Sequence, residues 1–175
     1  DGLTERAQEY YKQGARFAKW RAVLQITEDG PSDYAVHENS WGLARYARSV
    51  QEAGLVPIIE PEILMDGDHH IDKTAVIQER VIREVYEKCA KVGVLLEGTL
   101  LKPSMTVCGA DCKEQVGPKE VAEYTIRTLR RSVPAAVPGI NFLSGGLSEE
   151  EASLYLNEMN IKGDLPWNVS FSYGR

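Results

Sequence analysis

No stretch of this sequence approaches the roughly 20 consecutive apolar residues that a membrane-spanning helix needs, so no spanning segment is expected. Positive charge is also scarce: 20 Lys and Arg stand against 26 Asp and Glu, for a net charge of −6. With an isoelectric point near 5.2, neither nucleic acid nor an anionic membrane is expected as the main partner, because both select basic surfaces. Cysteine is rare and odd in number, three residues in all, which argues for reduced thiols in an intracellular compartment. Nothing repeats at a fixed period and no tract is of low complexity. No G-x-G-x-x-G turn occurs, which weakens a doubly wound dinucleotide-binding sheet. No signal-peptide pattern opens the sequence, although a targeting segment further upstream would leave the same opening.

What is present is ordinary for an α/β enzyme: 43% hydrophobic and 26% charged residues suffice for a buried core. Five apolar runs read as strands: Phe17 to Leu24, Val56 to Glu62, Val94 to Lys102, Gly139 to Ser144 and Trp167 to Tyr173. The segments between them are helical by period. Leu3, Ala7 and Tyr10 form one stripe, with a cap at Thr4 and a stop at Gly14. Leu43, Ala47 and Val50 form a second, ended by Gly54. Ile77, Val81, Val85 and Cys89 form a third, and Ala122, Ile126, Leu129 and Val133 a fourth, with Pro118 in its first turn. Ser148 to Glu151 is a capping box opening a helix with Ala152, Leu156 and Met159. A helix followed by four strand–helix units and a last strand is the rhythm of a parallel sheet with crossover helices.

Polar groups stand where these strands end. Lys102 closes the third run, directly before Pro103, and its ammonium should leave a hydrophobic wall. A bland lysine would snorkel to solvent there. A lysine made partly neutral by burial and neighbouring cations is instead a nucleophile toward carbonyls. Lys19 and Arg21 share a face of the first strand, and Glu60 and Glu62 share a face of the second. Ser144-Gly145-Gly146 ends the fourth, and Gly174-Arg175 follows the fifth. Charges on faces that should be apolar break the binary pattern, as functional sites do. Chemistry gathered at the C-terminal ends of several parallel strands is the rule of a TIM (β/α)8 barrel. A whole barrel needs about 250 residues and eight strands. The expectation is therefore that residues 1–175 form part of one barrel domain, with N-terminal strands and a C-terminal helix and tail outside it.

Three other motifs have ordinary explanations. Asp66-Gly67-Asp68-His69-His70 has some of the look of a metal cluster, but hard-metal loops place more carboxylates at alternating positions. Cys108 and Cys112 lack a second ligand pair for zinc. Asn168-Val169-Ser170 matches a glycosylation sequon, yet falls inside a strand expected to be buried.

Five segments together resemble the signatures of class I fructose-bisphosphate aldolases. They are Phe17-Ala18-Lys19-Trp20-Arg21, Val56-Pro57-Ile58-Ile59-Glu60-Pro61-Glu62, Leu96-Glu97-Gly98-Thr99-Leu100-Leu101-Lys102-Pro103, Phe142-Leu143-Ser144-Gly145-Gly146 and Phe171-Ser172-Tyr173-Gly174-Arg175. The resemblance covers the whole chain in order and spacing, and the lysine segment is its most specific part. Lys102-Pro103-Ser104-Met105 and Ala110-Asp111-Cys112-Lys113 lean toward plastid or algal forms. The resemblance implies Lys102 as the Schiff-base lysine and Lys19 as a lysine near the bond being cleaved. It implies Arg21 as a phosphate-holding arginine, Glu60 as the general acid/base for carbinolamine dehydration, and Glu62 as the group positioning the lysine amine. Ser144, Gly145, Gly174 and Arg175 match the ketose-phosphate pocket. It further implies a homotetramer in the cytoplasm or plastid stroma, with no cofactor and no metal. Three family pieces have no counterpart here: an aspartate of an early strand, a lysine of the strand before Lys19, and a tail ending in tyrosine. The isolated stretch is expected to be inactive.

The chemistry is coherent on its own terms. Cleaving a carbon–carbon bond beside a ketone builds carbanion character, and a protonated imine is an electron sink that needs no metal. Backbone N–H groups of Ser144-Gly145-Gly146, near the helix that begins at Ser148, suit a phosphate, and Arg175 can add a bidentate contact. The expected reaction is reversible cleavage of fructose 1,6-bisphosphate to dihydroxyacetone phosphate and glyceraldehyde 3-phosphate. The alternatives are another Schiff-base aldolase, of transaldolase type, and a non-catalytic barrel that only binds. Intact Lys102, Glu60, Lys19 and Arg21 argue against the second.

Overall fold

The computed structural model describes residues 2–174; Arg175, assigned above to the phosphate pocket, lies outside them. Five parallel strands form one sheet in the order of the chain, β1-β2-β3-β4-β5. They are β1 (Phe17–Leu24), β2 (Val56–Ile63), β3 (Leu100–Leu101), β4 (Gly139–Phe142) and β5 (Asn168–Phe171). Between them run α2 (Asp33–Glu52), α3 (Ile71–Lys91), α4 (Pro118–Ser132) and α5 (Glu149–Lys162), with α1 (Leu3–Lys12) before β1. Sequential parallel pairing without a reversal of strand order is what a barrel wall requires, and it excludes the doubly wound arrangement.

The helical stripes become the core. Leu43, Ala47 and Val50 of α2, Ile77, Val81, Val85 and Cys89 of α3, and Ala122, Ile126 and Leu129 of α4 are all buried against the sheet. The caps act as their residue types dictate. Ser32 Oγ accepts from Ala35 N–H at 3.1 Å to start α2. Ser148 and Glu151 exchange reciprocal bonds at 3.1 and 2.9 Å to start α5, satisfying two orphan donors at once. Thr4 does not cap α1; Gly2 precedes that helix in a left-handed conformation, and Tyr10 remains exposed.

The third apolar run is not the continuous strand its composition suggests. Leu96–Gly98 is a 3₁₀ turn, Leu95 is exposed, and only Leu100–Leu101 pair as a strand. Gln51 of α2 is the reason: its side-chain amide accepts from Leu95 N–H at 3.0 Å and donates to Leu95 O at 2.8 Å. It therefore takes the polar groups a ladder would use. The sequon strand is also less buried than expected, with Asn168 and Ser170 exposed on β5. Apolar side chains stand exposed on both outer strands, Phe17 and Trp20 on β1 and Phe171 on β5. A sheet closed into a barrel leaves no such edges.

The starts of α3 and α4 are joined by one polar contact. Tyr124 donates to Asp72 Oδ1 at 2.5 Å, and His70 Nδ1 lies 3.0 Å from Asp72 Oδ2. The tyrosine hydrogen bond first, and that of His70 second, hold the Asp72 carboxyl below its usual range. A lowered carboxyl stabilises the fold above its unfolded-state pKa, and that contribution fades as pH falls through the folded-state value. Tyr124→Phe should therefore lower the melting temperature near neutral pH, with the gap to wild type closing below about pH 4. Melting curves across that range test it; a gap that widens in acid would contradict the assignment.

Candidate active site

The strand register places the sequence-selected side chains in layers. Arg21 pairs with Glu60, and Leu100–Leu101 pairs with both Ile58–Ile59 and Gly139–Ile140. One step further, Lys102 N–H donates to Ile59 O at 2.7 Å. Lys102 thus continues the face that carries Glu60, because residues matched across a sheet share a side. On that face Glu60 joins two cations. Its Oε2 accepts from Lys19 Nζ at 2.6 Å, and its Oε1 lies 3.4 Å from Lys102 Nζ.

Burial decides what these contacts mean. Glu60 is 3% exposed and Lys102 8%, whereas the Lys19 side chain is 41% exposed. Glu60 and Lys102 form a desolvated pair held by the sheet, and Lys19 reaches in from the open side. Glu62, also buried, is joined to the guanidinium of Arg21. That hydrogen bond raises the Arg21 pKa and fixes the guanidinium beside the carboxylate. The carboxylate that reaches Lys102 is Glu60, while Glu62 holds the arginine.

Ser144 and Gly145 come to the same end of the sheet. Leu143 N–H donates to Pro103 O at 3.1 Å, which ties the end of β4 to the residue after Lys102. Gly145 then turns with φ of 56°, a conformation that glycine adopts without strain. Glu62, Met65, Ser104, Ser144, Gly145 and Gly146 line a cavity of about 80 Å³. Gly146 packs closely on the Met65 side chain: a Cβ there would sit 2.7 Å from Sδ, so the methionine would have to shift to admit one. The capped start of α5 follows directly, at Ser148. Ser172 N–H donates to Phe142 O at 2.9 Å, so the chain that leads to Gly174 runs beside β4 toward this end.

A buried polar network behind Lys102 has no counterpart in the sequence reading. Gln78 of α3 donates to Ser104 O at 2.6 Å and accepts from Thr106 Oγ1 at 2.5 Å. Ser104 Oγ accepts from Ile63 N–H at 3.1 Å, and Thr125 Oγ1 accepts from Thr106 N–H at 3.0 Å. These bonds anchor the segment leaving Lys102 to β2, α3 and α4, which limits where the lysine can swing. One signal was legible: Gln78 interrupts the apolar face of an amphipathic helix, and a buried amide needs partners. Asn141, one ladder step beyond the Leu101–Ile140 pair, stands beside Lys102 on the next strand. Gly109 is another position that spacing does not reveal: a Cβ there would lie 2.2 Å from Gly67 O, so the two loops pack backbone to backbone.

Among the described residues no cluster of three or more His, Cys, Asp and Glu could hold a metal ion, and no helix is long and apolar enough to cross a membrane. The site is a buried lysine–carboxylate pair, flanked by cations and a glycine turn, at the C-terminal ends of parallel strands. Five parallel strands paired in chain order are consistent with part of a (β/α)8 barrel, and a buried lysine beside a carboxylate is an arrangement that can carry carbonyl chemistry.

Comparison with known proteins gives that class its family. The description "Glycolytic: Fructose-bisphosphate aldolase class-I" matches residues 1–175. The chain is 58% identical over 176 residues to the cytoplasmic isozyme 2 of Pisum sativum fructose-bisphosphate aldolase, covering all of this chain and 49% of that protein. It is 57% identical over 175 residues to the chloroplastic fructose-bisphosphate aldolase 1 of Chlamydomonas reinhardtii, covering 46% of it. It superimposes with a TM-score of 0.98, at 54% identity, on the Plasmodium falciparum fructose-bisphosphate aldolase crystallised with TRAP and a small-molecule inhibitor. All of this chain and 51% of that one are covered. The chain belongs to the class I fructose-bisphosphate aldolase family and spans about half the length of the relatives it matches.

Proposed function

We propose that these residues supply five strands of a single (β/α)8 barrel whose complete form is a lyase. It reversibly cleaves fructose 1,6-bisphosphate to dihydroxyacetone phosphate and glyceraldehyde 3-phosphate through a lysine Schiff base. The observation that carries this reading is the position of Glu60 between Lys102 and Lys19. Lys102 attacks the ketone carbon. Glu60 passes a proton to the carbinolamine oxygen so that water leaves, and the resulting iminium accepts the electron pair of the breaking bond. Lys19, on the open side of Glu60, stands near the bond being cleaved. Glu62 holds the Arg21 guanidinium in place for a phosphate. Its family role of positioning the lysine amine would act through this layer of charges. The Ser144–Gly145 turn, Gly174 and Arg175 receive the ketose phosphate, with the start of α5 adding a positive dipole end.

Membership of the class I family implies metal-independent Schiff-base chemistry, and the reading invokes no cofactor. The ligand is a phosphorylated sugar; the acidic chain favours neither nucleic acid nor membrane. A homotetramer follows from the resemblance. Relatives named both cytosolic and chloroplastic support either cytoplasm or plastid stroma.

A transaldolase-like enzyme would use the same lysine on a monophosphate. Two phosphate subsites, one at Arg21 and one at the Ser144–Gly145 turn, follow from the resemblance, so kcat/KM of the complete polypeptide should fall on the order of 10²-fold or more when one phosphate is removed. Steady-state cleavage of fructose 1,6-bisphosphate beside fructose 1-phosphate measures this. Equal efficiency would move the assignment to the monophosphate enzymes, and cleavage of neither would leave only a binding module.

A further inference from the structure

Cys108 and Cys112 take no part in the lysine–carboxylate chemistry, yet the fold brings them together. The turn between them is closed by Cys112 N–H donating to Gly109 O at 3.1 Å. Both sulfurs lie 3.6 Å from one acceptor, Glu114 O, and the two thiols also interact with each other. Gln115 clamps the turn by donating to Gly109 O at 2.8 Å and to Cys112 O at 3.1 Å. The environments differ in a useful way. Cys108 is 1% exposed against Ile71 and Val121, and Cys112 is only partly buried. The third thiol, Cys89, is buried in the main core, where burial pushes it up to about 12.

We propose that Cys108 and Cys112 form a redox-active dithiol that exchanges with low-molecular-weight disulfides, Cys112 attacking and Cys108 resolving. In the first step the Cys112 thiolate attacks one sulfur of the disulfide RSSR. A bond forms between Cys112 and that sulfur, the S–S bond of RSSR breaks, and one RS⁻ leaves. In the second step the Cys108 thiolate attacks the Cys112 sulfur, closes the internal disulfide and expels the second RS⁻. Two electrons pass from the protein to RSSR, and the two thiol protons go to solvent or to the departing thiolates. Burial raises the Cys108 pKa, which leaves the first attack to the accessible partner.

The local geometry serves the second step: a disulfide requires the two cysteines to lie close together, and here the Gly109–Cys112 turn brings both sulfurs to within 3.6 Å of the same carbonyl. So short a ring is readily reduced again by dithiols. The turn is fastened to the loop between β2 and α3, with Gly109, Ala110 and Asp111 amides donating to His69, Met65 and Gly67 carbonyls at 2.8, 2.6 and 2.9 Å. Those bonds keep the pair in register while it reacts.

The test is thiol mapping on the folded, complete polypeptide at neutral pH with excess oxidised glutathione. Lys91 and Lys113 bound a tryptic peptide that contains both cysteines. In the wild type this peptide should become resistant to alkylation, lighter by two hydrogens, and fully alkylatable again after reduction. Cys108→Ser should stop at a glutathione mixed disulfide on Cys112. Cys112→Ser should slow modification of Cys108 by at least tenfold. A wild-type mixed disulfide that persists on Cys112, a first attack at Cys108, or two thiols that stay free would each overturn the proposal.

Discussion

Lys102→Met in the complete polypeptide should abolish borohydride trapping of the substrate and lower kcat on the order of 10⁴-fold or more. The expected effect is large because, among the described residues, no other amine combines Lys102's burial with its strand-end position. Lys19 is 41% exposed and already hydrogen-bonded to Glu60, and Lys88, the other buried lysine, lies on α3 beside Glu84 and Glu87. Stability should move the other way. Methionine matches the lysine stem in length, and removing a desolvated charge while Glu60 keeps Lys19 should leave the melting temperature unchanged or higher. Mass mapping of the reduced adduct, with a thermal scan of the same sample, reads both outcomes. A stable variant that still traps substrate would place the nucleophile elsewhere.

Glu60→Gln should produce the complementary pattern. The amide keeps the shape but cannot accept and return a proton near neutral pH, so kcat should fall about 10²–10⁴-fold. The substitution also strips the counter-charge from the buried ammonium of Lys102 and from Lys19. Leaving one member of a buried pair uncompensated costs about 3 kcal/mol or more, visible as a lower denaturation midpoint. Substrate trapping should slow without disappearing, because the attacking amine remains. If Glu60→Gln kept full activity, proton transfer would have to be assigned to another group.

The two substitutions separate what the same contact does for folding and for chemistry. On the proposed reading, Lys102 should cost the fold what the reaction requires, whereas Glu60 should serve both. That asymmetry follows from burial: the carboxylate compensates two ammonium groups, and each ammonium has one carboxylate.

Much of this could be seen in the order of residues. The five helices announced themselves through apolar spacing and through Ser148, Pro118, Gly14 and Gly54. Lys19, Arg21, Glu60 and Lys102 were visible because charge on a strand face contradicts its period. The third run does not disclose its 3₁₀ turn, because a short apolar run suits a strand and a helical turn equally. Gln51, distant in sequence, decided between them. The Gln78–Ser104–Thr106–Thr125 network was hidden for a similar reason: each residue is unremarkable alone, and only packing makes their hydrogen bonds obligatory.

Periodicity and capping residues determined the element types and the parallel α/β class, because those depend on neighbours along the chain, while the strand-end lysine only pointed toward the proposed chemistry. Which carboxylate faces which cation was decided only in the folded sheet: the register sets Arg21 opposite Glu60, yet the ion pairs between β1 and β2 run diagonally, Lys19 to Glu60 and Arg21 to Glu62, and Lys102 also reaches Glu60. The pairing of Cys108 with Cys112 over one carbonyl was likewise set by the fold. Charge pairing becomes strong where water is excluded, and the distances that set it exist only after the sheet has formed.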